Sequence, residues 1–345
     1  MFYVTFPKSL IMEQKKSVDQ KRDSGSTAEI GTKEDGAIVE MFKIGERLIV
    51  IKEKSIYEFI LADEIDPERK NIDLPNHIQK QIIDKGTKSE IVARTFLTAK
   101  NLFKREFIND DIDVNQAMNL TIDLLYEISE LDKEVSDYKL KETEEKEKYE
   151  ANKGTSSFAL PSIGNINTRC KTIFQKADHI EQTLMEIITV FYPNEGLTKQ
   201  SHFPMFHKII SEKYGAKEPF AKFLGDITSF MKLVRAFRNA LDHRLDSVSV
   251  YDFELQPNSD VYTPSIELNH KDSKFERNSL LELVDHLIPR FTNIIEVTIA
   301  YLSAHNSKPN LLSQEVKMIP EDQRINKNVK YAFWAPLGSG GYYNQ

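Results

Sequence analysis

The strongest constraint on this chain is a succession of apolar stripes at helical spacing, each closed by residues that cannot extend it. Ile173, Ala177, Ile180, Leu184, Ile187 and Phe191 recur every three or four residues and stop before Pro193. Leu120, Leu124, Ile128, Leu131, Val135 and Tyr138 do the same, and Leu280, Val284, Leu287, Phe291, Ile294, Thr298 and Tyr301 form another stripe, with a bend expected at Pro289. Side chains at that spacing share one face of a helix and must bury it against another element. The expected fold is therefore mainly α, with helices packed on one another through the C-terminal half.

Other stretches lack that period. Leu48–Ile51 and Ile56–Ile60 flank the polar turn 52–55 and predict a β-hairpin. Val248–Glu254 and Ser265–Leu268 alternate with period two around 257–260 and predict a second, inserted hairpin at about 248–268. Residues 13–35 carry almost no large apolar side chain, so 1–37 reads as a flexible N-terminal arm, with a short strand allowed at 1–6. A small mixed α/β region then spans 38–152 and ends in a long helix at 114–150, whose charged end is expected to project into solvent and offer a surface to a protein partner. The Gly, Ser and Pro of 152–164 mark the expected boundary to a helical domain at 165–305, and 306–345 reads as a tail. Its Gly338–Gly341 run has no following lysine or helix and takes no phosphate-binding role.

Composition narrows the class. Of 345 residues 40% are apolar and 29% charged, and no apolar run approaches the length that spans a bilayer. Met1–Met12 does not fit a secretory signal, so the expectation is a cytoplasmic protein without membrane contact. The single cysteine, Cys170, rules out an internal disulfide and fits a reducing compartment. His202 and His207 lack accompanying ligands, so neither a metal nor another cofactor is expected. A net charge of −7 argues against general nucleic-acid binding, yet Lys217–Arg244 holds six cations against three anions.

That basic stretch is itself a helix with two faces. With Phe237 at zero on a wheel, Phe230, Val234 and Leu241 lie within about 60°, whereas Arg235, Arg238, Asn239, Asp242 and His243 spread over the opposite side. One reading is structural: cations complement the end of a helix, and Arg238 with Asp242 is an (i, i+4) ion pair. The other is a site, in which Asn239, four residues before His243, orients the imidazole beside the fixed charge of Arg238. Asp178 and Glu181 on the preceding helix are acidic groups that could meet this face, and His286 with Arg290 is a second basic pair that could turn toward it.

The run Arg238-Asn239-Ala240-Leu241-Asp242-His243 resembles the arginine, polar residue, histidine signature of the HEPN superfamily, and the resemblance covers about 165–305. It implies a HEPN-like helical bundle, here with the inserted β-hairpin. It also implies a metal-independent endoribonuclease, a toxin or antiviral defence effector, working as a homodimer. In such enzymes the RNA 2′-hydroxyl attacks the adjacent phosphate. Here Arg238, Asn239 and His243 would be catalytic, and Arg235, Arg244 and Lys232 would bind substrate. The alternative within the same resemblance is a non-catalytic interaction or regulatory protein. Asp242, directly before His243, departs from a purely basic site, because it can neutralise Arg238.

Overall fold

The computed structural model describes residues 17–24, 28–152, 159–309 and 314–334. The expectations for 1–16, for most of the 152–158 boundary segment and for Gly338–Gly341 lie outside the described residues. The chain divides into two compact units at Asp84/Lys85. The division falls well before the Gly/Ser stretch because the long helix, assigned by sequence to the N-terminal region, packs against the helix that follows it.

The first unit is an antiparallel meander of β1 (Ile38–Ile44), β2 (Arg47–Lys52), β3 (Ile56–Leu61) and β4 (His77–Ile83), in that spatial order. The hairpin expected at 48–60 is β2 and β3, with Val50 opposite Tyr57. Helices α1 (Val18–Arg22) and α2 (Ala62–Ile65) flank the sheet in sequence. The described parts of the segment assigned to the arm make specific contacts through two cations. Arg22, with only 3% of its side chain exposed, sets one guanidinium nitrogen 2.9 Å from Asp63 and the other 2.6 Å from Asp66. The buried Lys52 ammonium donates to the carbonyls of Ile30 (2.6 Å) and Thr32 (2.7 Å), and Ile30 packs on Val50 and Tyr57. Apolar content alone underrated this segment, since buried charge pairs hold it in place of an apolar face.

The second unit corrects the expected fold class. It is not a mainly helical bundle: the described residues are about 50% helix and 19% strand, and the C-terminal half carries sheets of its own. The helical part begins with α3 (Glu90–Val92), continues through a π turn at Ala93–Leu97 and closes with α4 (Thr98–Leu102). Arg94 on that turn pairs with the buried Glu296 at 2.6 Å, which in turn lies 3.2 Å from Lys330. The long helix is α5 (Val114–Asn152), followed by α6 (Ile166–Phe191), α7 (Phe203–Tyr214) and α8 (Pro219–Asp242). The stripe of α5 is buried through Tyr138 and on to Glu142, which accepts a hydrogen bond from the Tyr138 hydroxyl at 2.6 Å. Only its last turns are solvated, so much less of α5 is free for a partner than its charge pattern suggested.

After α8 the chain forms β5 (Val248–Tyr251), β6 (Glu254–Leu255), β7 (Val261–Tyr262), β8 (Ser265–His270) and β9 (Ser273–Ser279). The expected hairpin is therefore a three-stranded sheet, β5-β8-β9, with the small β6-β7 ribbon between its first two strands in sequence. Ser273–Ser279, which carries no apolar stripe, pairs with β8, and its Phe275 packs edge-on to Phe237 at 5.5 Å. The stripe from Leu280 to Tyr301 is carried by α9 (Leu280–Asp285) followed by α10 (Leu287–His305). Its break at His286 follows from Pro289, whose ring has no N–H and clashes with the carbonyl four residues back. In the supposed tail, β10 (Glu315–Met318) pairs with β11 (Tyr331–Trp334), and Asn101 donates to the Tyr331 carbonyl at 2.7 Å.

Candidate functional site

The site is built on the last three turns of α8. Val234, Phe237 and Leu241 are buried as the wheel required, Phe237 stacks on Phe174 of α6 at 4.6 Å, and Phe230 meets Phe291 of α10 at 5.3 Å. Arg290 does turn to this helix, with its guanidinium 5.1 Å from the Phe230 ring centre. With the apolar face fixed in this way, the polar face has a defined direction. The helix then stops at the motif. The Arg244 N–H points to the Leu241 carbonyl (3.4 Å), the Leu245 N–H bonds to that of Ala240 (2.9 Å), and Arg244 has φ of 50°. This pair of bonds is the C-terminal arrangement that usually places glycine where Arg244 stands, and it leaves His243 at the helix cap, exposed.

The motif residues divide between two sides. Arg238 faces α6: its Nε lies 3.0 Å from Asp242 and 3.5 Å from Asp178, and its Nη1 donates to the Asn239 side-chain oxygen at 2.9 Å. Asp178 is 2% exposed and accepts from Gln182 at 2.6 Å, while Arg238 remains 32% exposed. The Nε contacts are charge contacts without hydrogen-bond alignment, and one Asp178 oxygen has no partner among the described residues. Asp242 also takes Gln175 (2.7 Å) and Lys171 (3.3 Å), so α6 supplies an acid, an amide and an ammonium to this end of α8. Glu181, the other acid expected here, instead lies 3.5 Å from His202.

Asn239 faces the other way. With Lys232, Arg235 and Ala236 it lines an open groove of about 650 Å³, whose far wall is the β8–β9 turn, His270 to Lys274. Of the expected substrate-binding residues, Lys232 and Arg235 are in this groove, whereas Arg244 sits at the helix end and does not line it. Sequence reasoning missed Lys271 and Lys274, because it ended the inserted hairpin at 268 and left the turn after it unassigned. It also left Lys171 and Gln175 unassigned; the three-residue step from Gln175 to Asp178 places both on one face of α6 and was the available signal.

The motif places a cation flanked by two carboxylates and an exposed imidazole at the same end of α8, five residues apart in sequence. Among the described residues no cluster of three or more His, Cys, Asp or Glu is placed to hold a metal ion, and no helix is long and apolar enough to cross a membrane. No protein-family model, curated protein or solved structure matches the chain.

Proposed function

We propose that this chain is an HEPN-type endoribonuclease that cleaves RNA without a metal and acts as a homodimer. The observation that carries the reading is His243 exposed at the cap of α8, five residues beyond an arginine flanked on its Nε side by Asp178 of α6 and by Asp242. In the reaction the 2′-oxygen attacks the adjacent phosphorus, loses its proton to a base, and the bond to the 5′-oxygen breaks as that oxygen gains a proton. An imidazole titrates near neutrality and can serve at either end, and a guanidinium stays charged and forks two donors toward the phosphorane oxygens. One chain offers one imidazole at this place. A two-fold axis beside the end of α8 supplies a second, so that one acts as base and its partner as acid. Asp178 and Asp242 then serve to lower the repulsion between the two copies of Arg238.

A second reading rests on the same two carboxylates. Arg238 shared between Asp178 and Asp242 has little charge left for a phosphorane, which favours a non-catalytic interaction protein in which the motif is structural. One experiment separates them. Purified protein is incubated with mixed RNA in EDTA beside His243→Ala, and light scattering reports the oligomeric state. The enzyme reading expects a dimer whose cleavage falls by about two to four decades in the variant. Equal, negligible cleavage by both proteins selects the second reading, and full cleavage by a monomer refutes the composite site.

A further inference from the structure

The polar stripe of α8 continues away from the motif. Lys232, Arg235 and Asn239 are three and four residues apart, share one face of the helix and all line the groove. The opposite wall is a two-residue turn in which His270 pairs with Ser273, and Lys271 at its tip has φ of 51°. Turns of this kind favour Asn or Gly at that position, so a lysine there is held against its own conformational preference. The groove thus carries the cations Lys232, Arg235, Lys271 and Lys274 against one carboxylate, Asp272, on a chain whose net charge is −7. None of these four cations has a carboxylate partner among the described residues, unlike Arg22, Arg94 and Arg238.

We infer that this groove is a phosphate track for single-stranded RNA, leading along α8 to the motif. Four unpaired cations on two facing walls are too few and too localised for a duplex, which needs a wide basic face, but they match consecutive phosphates of one strand. No Phe, Tyr or Trp lines the groove, and its one ring, His270, is tied to Ser247 at 3.1 Å, so recognition runs mainly through the backbone and is tolerant of sequence. Asn239 is common to both features: it lines the groove and accepts from Arg238, so a strand that fills the groove meets the residue bonded to the arginine. That the strand is RNA rests on the endoribonuclease reading; the track itself rests on the groove.

The test uses the full chain and a fluorescein-labelled, 2′-O-methylated oligouridine of about 12 nucleotides, which binds but offers no attacking hydroxyl. Anisotropy is measured from about 50 to 200 mM salt. Release of counterions from four phosphates predicts a slope of about −3 in log affinity against log salt, a loss of about 50-fold across that range. Lys271→Ala with Lys274→Ala, both exposed and checked for folding by circular dichroism, should halve the slope and cut the loss to about sevenfold. Unchanged affinity and slope in that double variant overturn the track, even if the wild type cleaves RNA. Slope and affinity that fall as expected, with no cleavage of ordinary RNA by the wild type, keep the track and remove the endoribonuclease reading instead. An oligothymidine bound within about twofold of the oligouridine supports backbone recognition; strong preference for one base sequence contradicts it.

Discussion

Replacing Arg238 with alanine leaves the carboxylate of Asp178 buried beside Asp242 with no guanidinium between them. Two unit charges at the observed 3.5 Å attract by about 5 kcal/mol at an effective dielectric of about 20, which bounds the pair from above. Removing one partner of a fully buried pair costs about 3–5 kcal/mol, while exposed pairs are worth about 0–1 kcal/mol. Arg238 lies between these cases: it is 32% exposed, it divides its charge between two acids, and its Nε contacts lack hydrogen-bond alignment. The expected cost of Arg238→Ala is therefore about 1.5–2 kcal/mol. Asp178→Asn keeps an acceptor for Gln182, so it should cost about 1 kcal/mol, and the double variant should cost about 1 kcal/mol less than the sum. The single tryptophan, Trp334 in β11, reports on the second unit, so urea unfolding followed by its fluorescence measures the cycle there. Arg238→Ala costing under about 0.5 kcal/mol, with no coupling to Asp178, would refute the ion pair as a structural element.

Three further outcomes follow from groups away from the motif. The backbone N–H groups of Asn71 and Lys70, aided by Arg22, lower the Asp66 carboxyl to about 2, so the stability it contributes is complete above its ordinary range near 4 and is lost as pH falls through about 2; amide shifts of Lys70 and Asn71 that titrate near pH 4 would contradict this. Burial pushes the Cys170 thiol up to about 12, so the native protein should react with a thiol reagent only as fast as it unfolds, and a rate at pH 8 matching a free thiol would show that α6 is open there. Glu296→Ala leaves the buried Arg94 only the exposed Glu90 as a carboxylate partner and should destabilise the second unit by about 2–3 kcal/mol in the same fluorescence assay, whereas a cost near zero would mean that water replaces the pair.

The long stripes were legible because burial on one face leaves a period that nothing else in a sequence imitates. Helices α5, α6 and α8 appear where the apolar residues recur, and β2, β3, β5 and β8 where they alternate. What escaped were segments held by charge or by a single apolar contact. Residues 28–35 are fixed by Lys52 reaching two carbonyls, and β9 by pairing with β8 and by Phe275 against Phe237; neither leaves a periodic trace. The contacts that fix Ile30 and Phe275 come from 22 and 38 residues away in the chain, and β9 adds a third strand to the expected hairpin.

At the motif, the wheel placed Phe237, Val234 and Leu241 inward, and that placement alone orients Arg238 and Asn239 on different flanks of the polar face, about 100° apart. What the wheel could not supply is the identity of each flank. Arg238 meets α6, whose Asp178 comes from 60 residues earlier in the chain, and Asn239 meets a groove whose other wall comes from about 30 residues later. A six-residue signature is thus split between an acidic flank that fixes its cation and a basic flank that can hold a polyanion. The hydrogen bond from Arg238 to Asn239 ties the two flanks together, so occupation of the groove acts on the arginine through one amide. Whether the arginine is a structural or a chemical group therefore turns on whether a bound strand can draw it from Asp178. The weak alignment of that contact is the property that permits the movement.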